Sequence, residues 1–320
     1  MMELLNMAYA MHGDFSSKYE DHLRTIYPDE IINQIIDAPK IIPLREQPYE
    51  MIPFIRINEG ASKPVMFIPG FGEGILNKAP FAAELAMQGY DVILPGQNRR
   101  GIIKDNGRQA TASQARNYAA ILAAEGLSET GINFVAHSYG GLVFESLVQR
   151  ITKTSPDYFK DSTAILAASA GIIPEKSYIS LGKRWLKYMN SEKDQSTQDF
   201  PDKTGETAKA STRTLFKNVG RTIAEIKALR HEQIDFETLA QRVGHVVIMS
   251  YAEDAMFPEE LMEERASAAV LAGALWVRPV SLDLTTDGKI RNGQDAVHDD
   301  EQLNPSRVAG SISQILKVVS

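Results

Sequence analysis

The feature that most constrains the fold of this chain is a regular alternation of short apolar runs with helical stretches. Short apolar runs bounded by turn residues are typical of buried strands, and the intervening stretches have the length of helices. The apolar runs are 64–69, 91–94, 132–136 and 162–168, and the helical stretches are 79–88, 111–125 and 140–151. Such alternation implies right-handed crossovers, so we predict an α/β fold with a mostly parallel central sheet and helices on both faces.

The segments outside this series complete the predicted architecture. We expect a leading helical segment over 1–40, followed by a pair of strands, 41–45 and 51–57, at a sheet edge that tolerates Pro43 and Pro53. Further strands at 245–251 and 274–280 and helices at 258–272 and 305–319 follow later. The predicted domains are a first core part (1–172), a helical cap or lid insertion (173–241), where the alternation stops, and a second core part (242–320).

Composition excludes several classes of function. No run approaches the roughly 18 to 20 apolar residues of a membrane span. The formal net charge of −7 argues against a nucleic-acid surface. With no cysteine, disulfides and cysteine nucleophiles are excluded. The first residues lack the basic start of a secretory signal, so we expect a cytoplasmic protein. The oligomeric state stays open.

A candidate nucleophile lies in the segment 136–141, whose sequence is Ala-His-Ser-Tyr-Gly-Gly. A serine in a sharp turn between a buried strand and a helix is lifted above the sheet edge, where its hydroxyl reaches substrate. The positions two residues before and after it must be small, as Ala136 and Gly140 are. We therefore predict that Ser138 is a nucleophile. The alternative is an inert serine in a tight turn.

A serine nucleophile needs a general base, and the chain offers six histidines. His298 lies in a polar loop after the last predicted strand, from where it can reach a serine at the same sheet edge. His137, beside the serine, is expected to point away from it. The other four lie in segments that we expect to be remote: His12, His22, His231 and His245. His298 is the predicted base, with a surface histidine as the alternative.

The base needs a carboxylate at the same edge to hold its tautomer and to stabilise the imidazolium. Asp254 follows the predicted strand 245–251, and Glu253 is its rival one residue away. The preceding strand offers no acid at its tip, so we predict Asp254 as the third member of the site.

Negative charge on the reacting oxygen needs backbone donors. The glycines of Pro69-Gly70-Phe71-Gly72 let a backbone N–H turn inward after the first parallel strand, and Tyr139 lies at a helix start. We predict the N–H groups of Phe71 and Tyr139 as an oxyanion hole, although Gly70 and Gly72 could equally serve a plain turn.

These segments resemble motifs of the α/β-hydrolase superfamily. The run 68–72 is similar to its oxyanion turn, with Pro69 where histidine is commoner. The run 136–140 is similar to its nucleophile elbow, with Ala136 in place of the first glycine. The order Ser138, Asp254, His298 is that of the family, and the insertion falls between strands six and seven, where the family carries its lid. The turn at 95–101 and the stretch 281–295 are longer than usual.

The resemblance implies hydrolysis of an ester, amide or related bond of a small-molecule substrate without a cofactor. Our leading hypothesis is a carboxylic-ester hydrolase that forms an acyl-enzyme on Ser138. The same triad could instead serve acyl transfer, lactone opening or carbon–carbon cleavage, or the fold could belong to a ligand-binding protein of low turnover. We predict no metal site, because the run 283–294 resembles a calcium loop but ends in Gln294, and a hairpin at Asp287-Gly288 is expected instead.

Overall fold

The computed structural model describes residues 17–44, 47–61, 63–73, 75–96, 107–129, 131–172, 177, 180–184, 219–251, 254, 256–257, 267, 269–277 and 305–319.

The centre of the molecule is an eight-stranded sheet. The strands are β1 (Lys40–Leu44), β2 (Gln47–Ile57), β3 (Val65–Ile68), β4 (Val92–Pro95), β5 (Asn133–His137), β6 (Thr163–Ala167), β7 (His245–Met249) and β8 (Leu275–Val277). Their order is β1-β2-β4-β3-β5-β6-β7-β8. β2 pairs antiparallel with β1 and β4, and every other neighbouring pair is parallel. The predicted mostly parallel sheet, with the β1–β2 pair at one edge, is confirmed.

Helices alternate with these strands along the chain. They are α1 (Ser17–Ile26), α2 (Asp29–Ile36), α3 (Ala79–Met87), α4 (Gly107–Ala124), α5 (Gly140–Ile151), α6 (Val219–His231), α7 (Phe236–Arg242) and α8 (Pro305–Val319). A single 3-10 turn, Ile75–Lys78, precedes α3, and residues 180–184 and 269–271 are also helical. None of the helices among these described stretches has both the length and the apolar character needed to cross a bilayer.

The helices cover both faces of the sheet because successive strand residues point to opposite sides. In β5, Phe134 and Ala136 pack into a core with α4 and α5, whereas Val135 packs into a second core on the other face. That second core contains apolar residues of α1, α2, α3 and α8. The three-layer arrangement predicted from the alternation is therefore confirmed.

The insertion predicted over 173–241 lies between β6 and β7, and its described residues include three helical stretches, 180–184, α6 and α7. α7 agrees to the residue with the helix that the sequence predicts over 236–242. α6 begins at Val219 and packs along α4, across a contact in which Gln114 donates a hydrogen bond of 3.0 Å to Glu225. Ile234, after α6, donates its N–H to the carbonyl of Gly171 at the tip of β6, which returns the chain to the sheet.

A buried ion pair ties the antiparallel edge to the parallel sheet. Arg56 of β2 donates two hydrogen bonds, of 3.0 and 2.7 Å, to the fully buried carboxylate of Asp91, at the amino end of β4. The N–H of Gly60 also donates to this carboxylate. These contacts raise the pKa of Arg56, chiefly through its hydrogen bond with Asp91.

Breaking this pair should be costly because it removes a buried charge-assisted hydrogen bond, although Arg56 keeps Glu125 at 2.8 Å and Glu59 at 3.2 Å as acidic partners. Asp91→Asn is therefore expected to lower the free energy of unfolding by about 1–3 kcal/mol. Urea denaturation measures the change. Asp157→Asn, the same change at an exposed aspartate, should stay within about 0.5 kcal/mol. Equal midpoints for both variants would show that the pair contributes no stability.

Candidate active site

Ser138 occupies a strained turn between β5 and α5. Its φ is +50°, in the left-handed region that non-glycine residues adopt rarely and at a cost of about 1–3 kcal/mol. Two hydrogen bonds hold the strained residue: its N–H donates to Ala167 at 3.0 Å, and its carbonyl accepts from Ala170 at 2.8 Å. The serine is thus fixed at the carboxyl end of β5.

The turn is possible because two glycines let neighbouring backbones approach closely. A Cβ at Gly140 would lie 2.3 Å from the carbonyl oxygen of Ile68 in β3, and one at Gly141 would lie 2.7 Å from the Ser169 Cβ. Carbon atoms do not approach oxygen that closely, so position 140 requires glycine on steric grounds. The small residue expected two positions after the serine is explained by this contact.

The turn after β3 lies directly against the serine. The position that a Cβ at Gly70 would occupy is 3.0 Å from the Ser138 Cβ. Gly72 has φ +74°, the conformation of the third residue of a type II turn, and the N–H of Glu73 donates back to the Gly70 carbonyl at 3.5 Å. Phe71 lies inside this turn, and Tyr139 follows the serine as the residue before α5. Both predicted oxyanion residues therefore lie in segments that adjoin Ser138.

Asp254 lies beyond β7, where its side chain organises the following turn. It is 3% exposed, and its Oδ1 accepts hydrogen bonds from the N–H groups of Met256 at 2.7 Å and Phe257 at 2.8 Å. The rival acid Glu253 lies outside the described residues. Burial lowers the pKa of Arg184, and the charge of Asp254 acts in the opposite direction, so the start of the cap segment lies near this acid.

The tips of three neighbouring strands are tied together at one edge of the sheet. Ser138 follows β5 and donates to Ala167 of β6, while Ala168 donates to Met249 of β7 at 2.8 Å. Ser138 and Asp254 thus belong to the carboxyl ends of strands separated by β6 alone. Adjacent strands are about 4.8 Å apart, which puts the two strand ends roughly 10 Å from each other.

His298, the predicted base, lies outside the described residues, as does the predicted hairpin at Asp287-Gly288. β8, which precedes this loop, pairs parallel with β7, so its carboxyl end lies at the same edge as Ser138 and Asp254. α8, which follows the loop, packs on α3.

The side chain of Tyr139 lies near a buried polar cluster of the insertion helix α6. Burial raises the pKa of its phenol well above the ordinary value, and the nearby charge of Glu225 raises it further. On α6, Arg221 donates a hydrogen bond of 3.0 Å to Glu225. On α4, Gln114 donates to the same carboxylate. α6 therefore contacts α4 through buried polar groups near the residue that follows the serine.

Sequence reasoning missed a second buried cluster, next to the turn 70–73. Glu73, Lys78 and His137 are all buried, and both of the latter approach the Glu73 carboxylate, at 3.1 and 3.0 Å. The sequence carries only a faint signal for the partners, because an acid and a lysine in a loop are usually solvated.

Comparisons with known proteins identify the fold. No family model and no curated protein matches this sequence. Among solved structures, an esterase from Thermogutta terrifontis is similar at 17% identity with a TM-score of 0.60, covering 88% of this chain and 99% of the esterase. A bacterial membrane phospholipase A is similar at 14% identity with a TM-score of 0.63, covering 99% of this chain and 96% of the phospholipase. A bromoperoxidase from Bacillus anthracis is similar at 14% identity with a TM-score of 0.58, covering 88% of this chain and 100% of the bromoperoxidase.

These similarities extend over 88% to 99% of the chain. The chain therefore has the α/β-hydrolase fold, as its motifs predicted. The fold by itself does not define the reaction, because one fold carries many chemistries.

The steric argument at position 140 can be tested by adding one methyl group. Gly140→Ala should lower the free energy of unfolding by about 1–3 kcal/mol, because the backbone of β3 leaves no room for a Cβ. Gly310→Ala is the matched control: within α8 a Cβ would meet nothing within 4 Å, so alanine should stabilise by about 0.5–1 kcal/mol. Thermal unfolding measures both. A Gly140→Ala protein as stable as Gly310→Ala would refute the close approach.

Proposed function

We propose that this chain is a serine hydrolase that cleaves carboxylic esters through an acyl-enzyme on Ser138. The observation that carries the proposal is the geometry of Ser138: a strained, non-glycine residue with φ +50°, at the carboxyl end of a central strand, with a glycine turn against its Cβ. Strain of about 1–3 kcal/mol at a single polar residue, maintained by flanking hydrogen bonds, is typical of functional sites.

The proposed reaction has two stages. Ser138 Oγ attacks the ester carbonyl carbon while His298 accepts its proton, and the resulting oxyanion accepts hydrogen bonds from the N–H groups of Phe71 and Tyr139. The bond to the alcohol then breaks, and His298 returns the proton to the leaving oxygen. In the second stage water gives a proton to His298 and attacks the acyl-serine, which releases the acid and restores the serine.

The spacing of the strand ends supports Asp254 as the acid. The tips of β5 and β7 are roughly 10 Å apart. An imidazole ring that forms one hydrogen bond of about 2.7–3.0 Å to Ser138 and another to Asp254 fits between groups at that separation. The Asp254 carboxylate is buried and held by two N–H groups, so it is fixed in one orientation. An ionised, immobile carboxylate can hold a histidine tautomer and stabilise the imidazolium.

The esterase and phospholipase named above support an ester as the substrate class. Their names describe those proteins only, and the bromoperoxidase with the same fold shows that the scaffold serves another reaction as well. The ester assignment therefore depends on the chemistry of the site together with this analogy. The cap segment, which contacts the Tyr139 side chain, is the proposed source of substrate selectivity.

Removing the nucleophile tests the proposal. Ser138→Ala should lower kcat for p-nitrophenyl acyl esters by about 10⁶-fold and abolish fluorophosphonate labelling, because no oxygen remains to form the acyl-enzyme. Ser162→Ala is the matched control, since Ser162 is also buried but precedes β6 at the opposite sheet edge. It should retain labelling and activity. Ester hydrolysis by a folded Ser138→Ala protein would refute the assignment.

A second substitution separates the two candidate acids. Asp254→Asn should lower kcat by about 10⁴-fold, because the amide favours the wrong histidine tautomer. Its remaining oxygen can still accept the Met256 and Phe257 bonds, so the turn should be preserved. Glu253→Gln, one residue away, should leave kcat within a few-fold of wild type. The reverse pattern would transfer the role to Glu253. Steady-state kinetics on one p-nitrophenyl ester, with circular dichroism to check folding, measures both.

A further inference from the structure

The glycine turn beside Ser138 is clamped from behind by one residue, Glu73. Its carboxylate accepts a hydrogen bond from the Gly70 N–H, and its own N–H donates to the Gly70 carbonyl. The position of a Cβ at Gly70 would lie 3.0 Å from the Ser138 Cβ on one side and 3.1 Å from the Glu73 carboxyl group on the other. Gly70 is therefore enclosed between the serine and this acid.

The clamp determines which amide of the turn can face a substrate. The Gly70 N–H donates to the Glu73 carboxylate, so it is already committed to this acceptor. Phe71 is the next residue, and Gly72, with φ +74°, reverses the chain after it. The orientation of the Phe71 peptide is thus set by a turn whose first residue is bonded to Glu73 at both its N–H and its carbonyl.

Two further buried side chains hold the Glu73 carboxylate. Lys78 Nζ lies 3.1 Å from Oε1 and is completely buried. His137 Nδ1 lies 3.0 Å from the same oxygen. His137 is also the residue before Ser138, so the clamp connects the oxyanion turn to the nucleophile turn through a second route.

This cluster is poorly explained by stability. Burying an ion pair costs desolvation free energy that its attraction often fails to recover, and apolar residues of similar size would serve a core as well. The negative charge of an unpaired carboxylate near a developing oxyanion would repel it and oppose the reaction. The positive charge of Lys78 offsets the charge of Glu73. The cluster therefore fits a positional role at this turn better than a packing role.

We propose that Glu73 is a positioning residue for the oxyanion hole, which fixes the turn 70–73 against Ser138 while Lys78 and His137 fix Glu73. This inference rests on the proposed function of Ser138. Donors of an oxyanion hole act on charge that develops in the transition state, so a loosened turn should lower kcat and leave KM nearly unchanged.

The test compares Glu73→Ala and Glu73→Gln in the full-length protein. Alanine removes the acceptor of the Gly70 N–H and should lower kcat for a p-nitrophenyl ester by about 10²-fold, near the lower bound for losing one oxyanion donor outright. Glutamine retains an acceptor oxygen, so its kcat should recover to about 10-fold below wild type. KM should change by less than about threefold in both, and affinity for an alkylboronic acid, which forms a tetrahedral adduct, should fall in parallel with kcat.

Asp91→Asn is the matched control, because it weakens another buried carboxylate ion pair at the opposite sheet edge. It should destabilise the protein without lowering kcat. Hydrogen exchange provides a readout besides activity. Amides of residues 68–73 should exchange faster in the Glu73 variants than in the wild-type protein, whereas their exchange rate should be unchanged in Asp91→Asn.

A Glu73→Gln protein with wild-type kcat, or an equal loss of kcat in Asp91→Asn, would overturn the inference. If Glu73→Ala fails to fold, the glutamine variant still decides the question. Failure of the proposed function is distinguishable, since wild-type protein would then neither hydrolyse esters nor label at Ser138, while the exchange result would still report on the clamp.

Discussion

The close approach of β3 to the start of α5 is the constraint on which the rest of the candidate site depends. The backbone of Gly140 meets the Ile68 carbonyl with no room for a side chain, so α5 starts directly against β3. The chain reaches that position from β5 by a sharp reversal, which forces Ser138 to a positive φ. Hydrogen bonds from the neighbouring strand tip hold this strained backbone in place. A polar side chain in this setting is presented at the sheet edge at a real energetic cost.

The same constraint brings two turns close to the insertion helix α6. The turn after β3 adjoins Ser138 through Gly70, and Glu73 holds that turn from its buried side. On the other side, the Tyr139 side chain extends under α6 into a cluster of buried polar groups. The Tyr139 hydroxyl and the Gln114 Oε1 have no hydrogen-bond partner among the described residues. Since buried orphan polar atoms weaken an interface, the core–cap contact should be less stable than the core.

Most of the fold was predictable because it depends on local patterns. The alternation of apolar runs and helical stretches fixed the layers and the parallel pairing, and α5, α7 and α8 match their predicted limits. Within the leading segment, which we predicted to be helical, the residues described from 17 onward form two helices, because Pro28 ends the first and precedes the second. Proline lacks the N–H that a continuous helix would need at that point.

The site was predictable only in part, for a physical reason. Ser138 and its glycines lie within one strand–turn–helix unit, so local sequence places them. Glu73, Lys78 and His137 meet only after two strands pair side by side, and the loop positions of Glu73 and Lys78 suggest solvated charges. Asp254 agrees with its predicted strand end, while its role, the choice over Glu253 and the place of His298 stay predictions.

The central claim is that residues distant in sequence converge on Ser138 at one sheet edge. A crystal structure of the protein reacted with a p-nitrophenyl alkylphosphonate tests it most directly. The account predicts phosphorus bonded to Ser138 Oγ, the phosphoryl oxygen accepting from the N–H groups of Phe71 and Tyr139, and the His298 ring between Ser138 and Asp254. An adduct on another residue, or His298 bonded to neither of these partners, would contradict it.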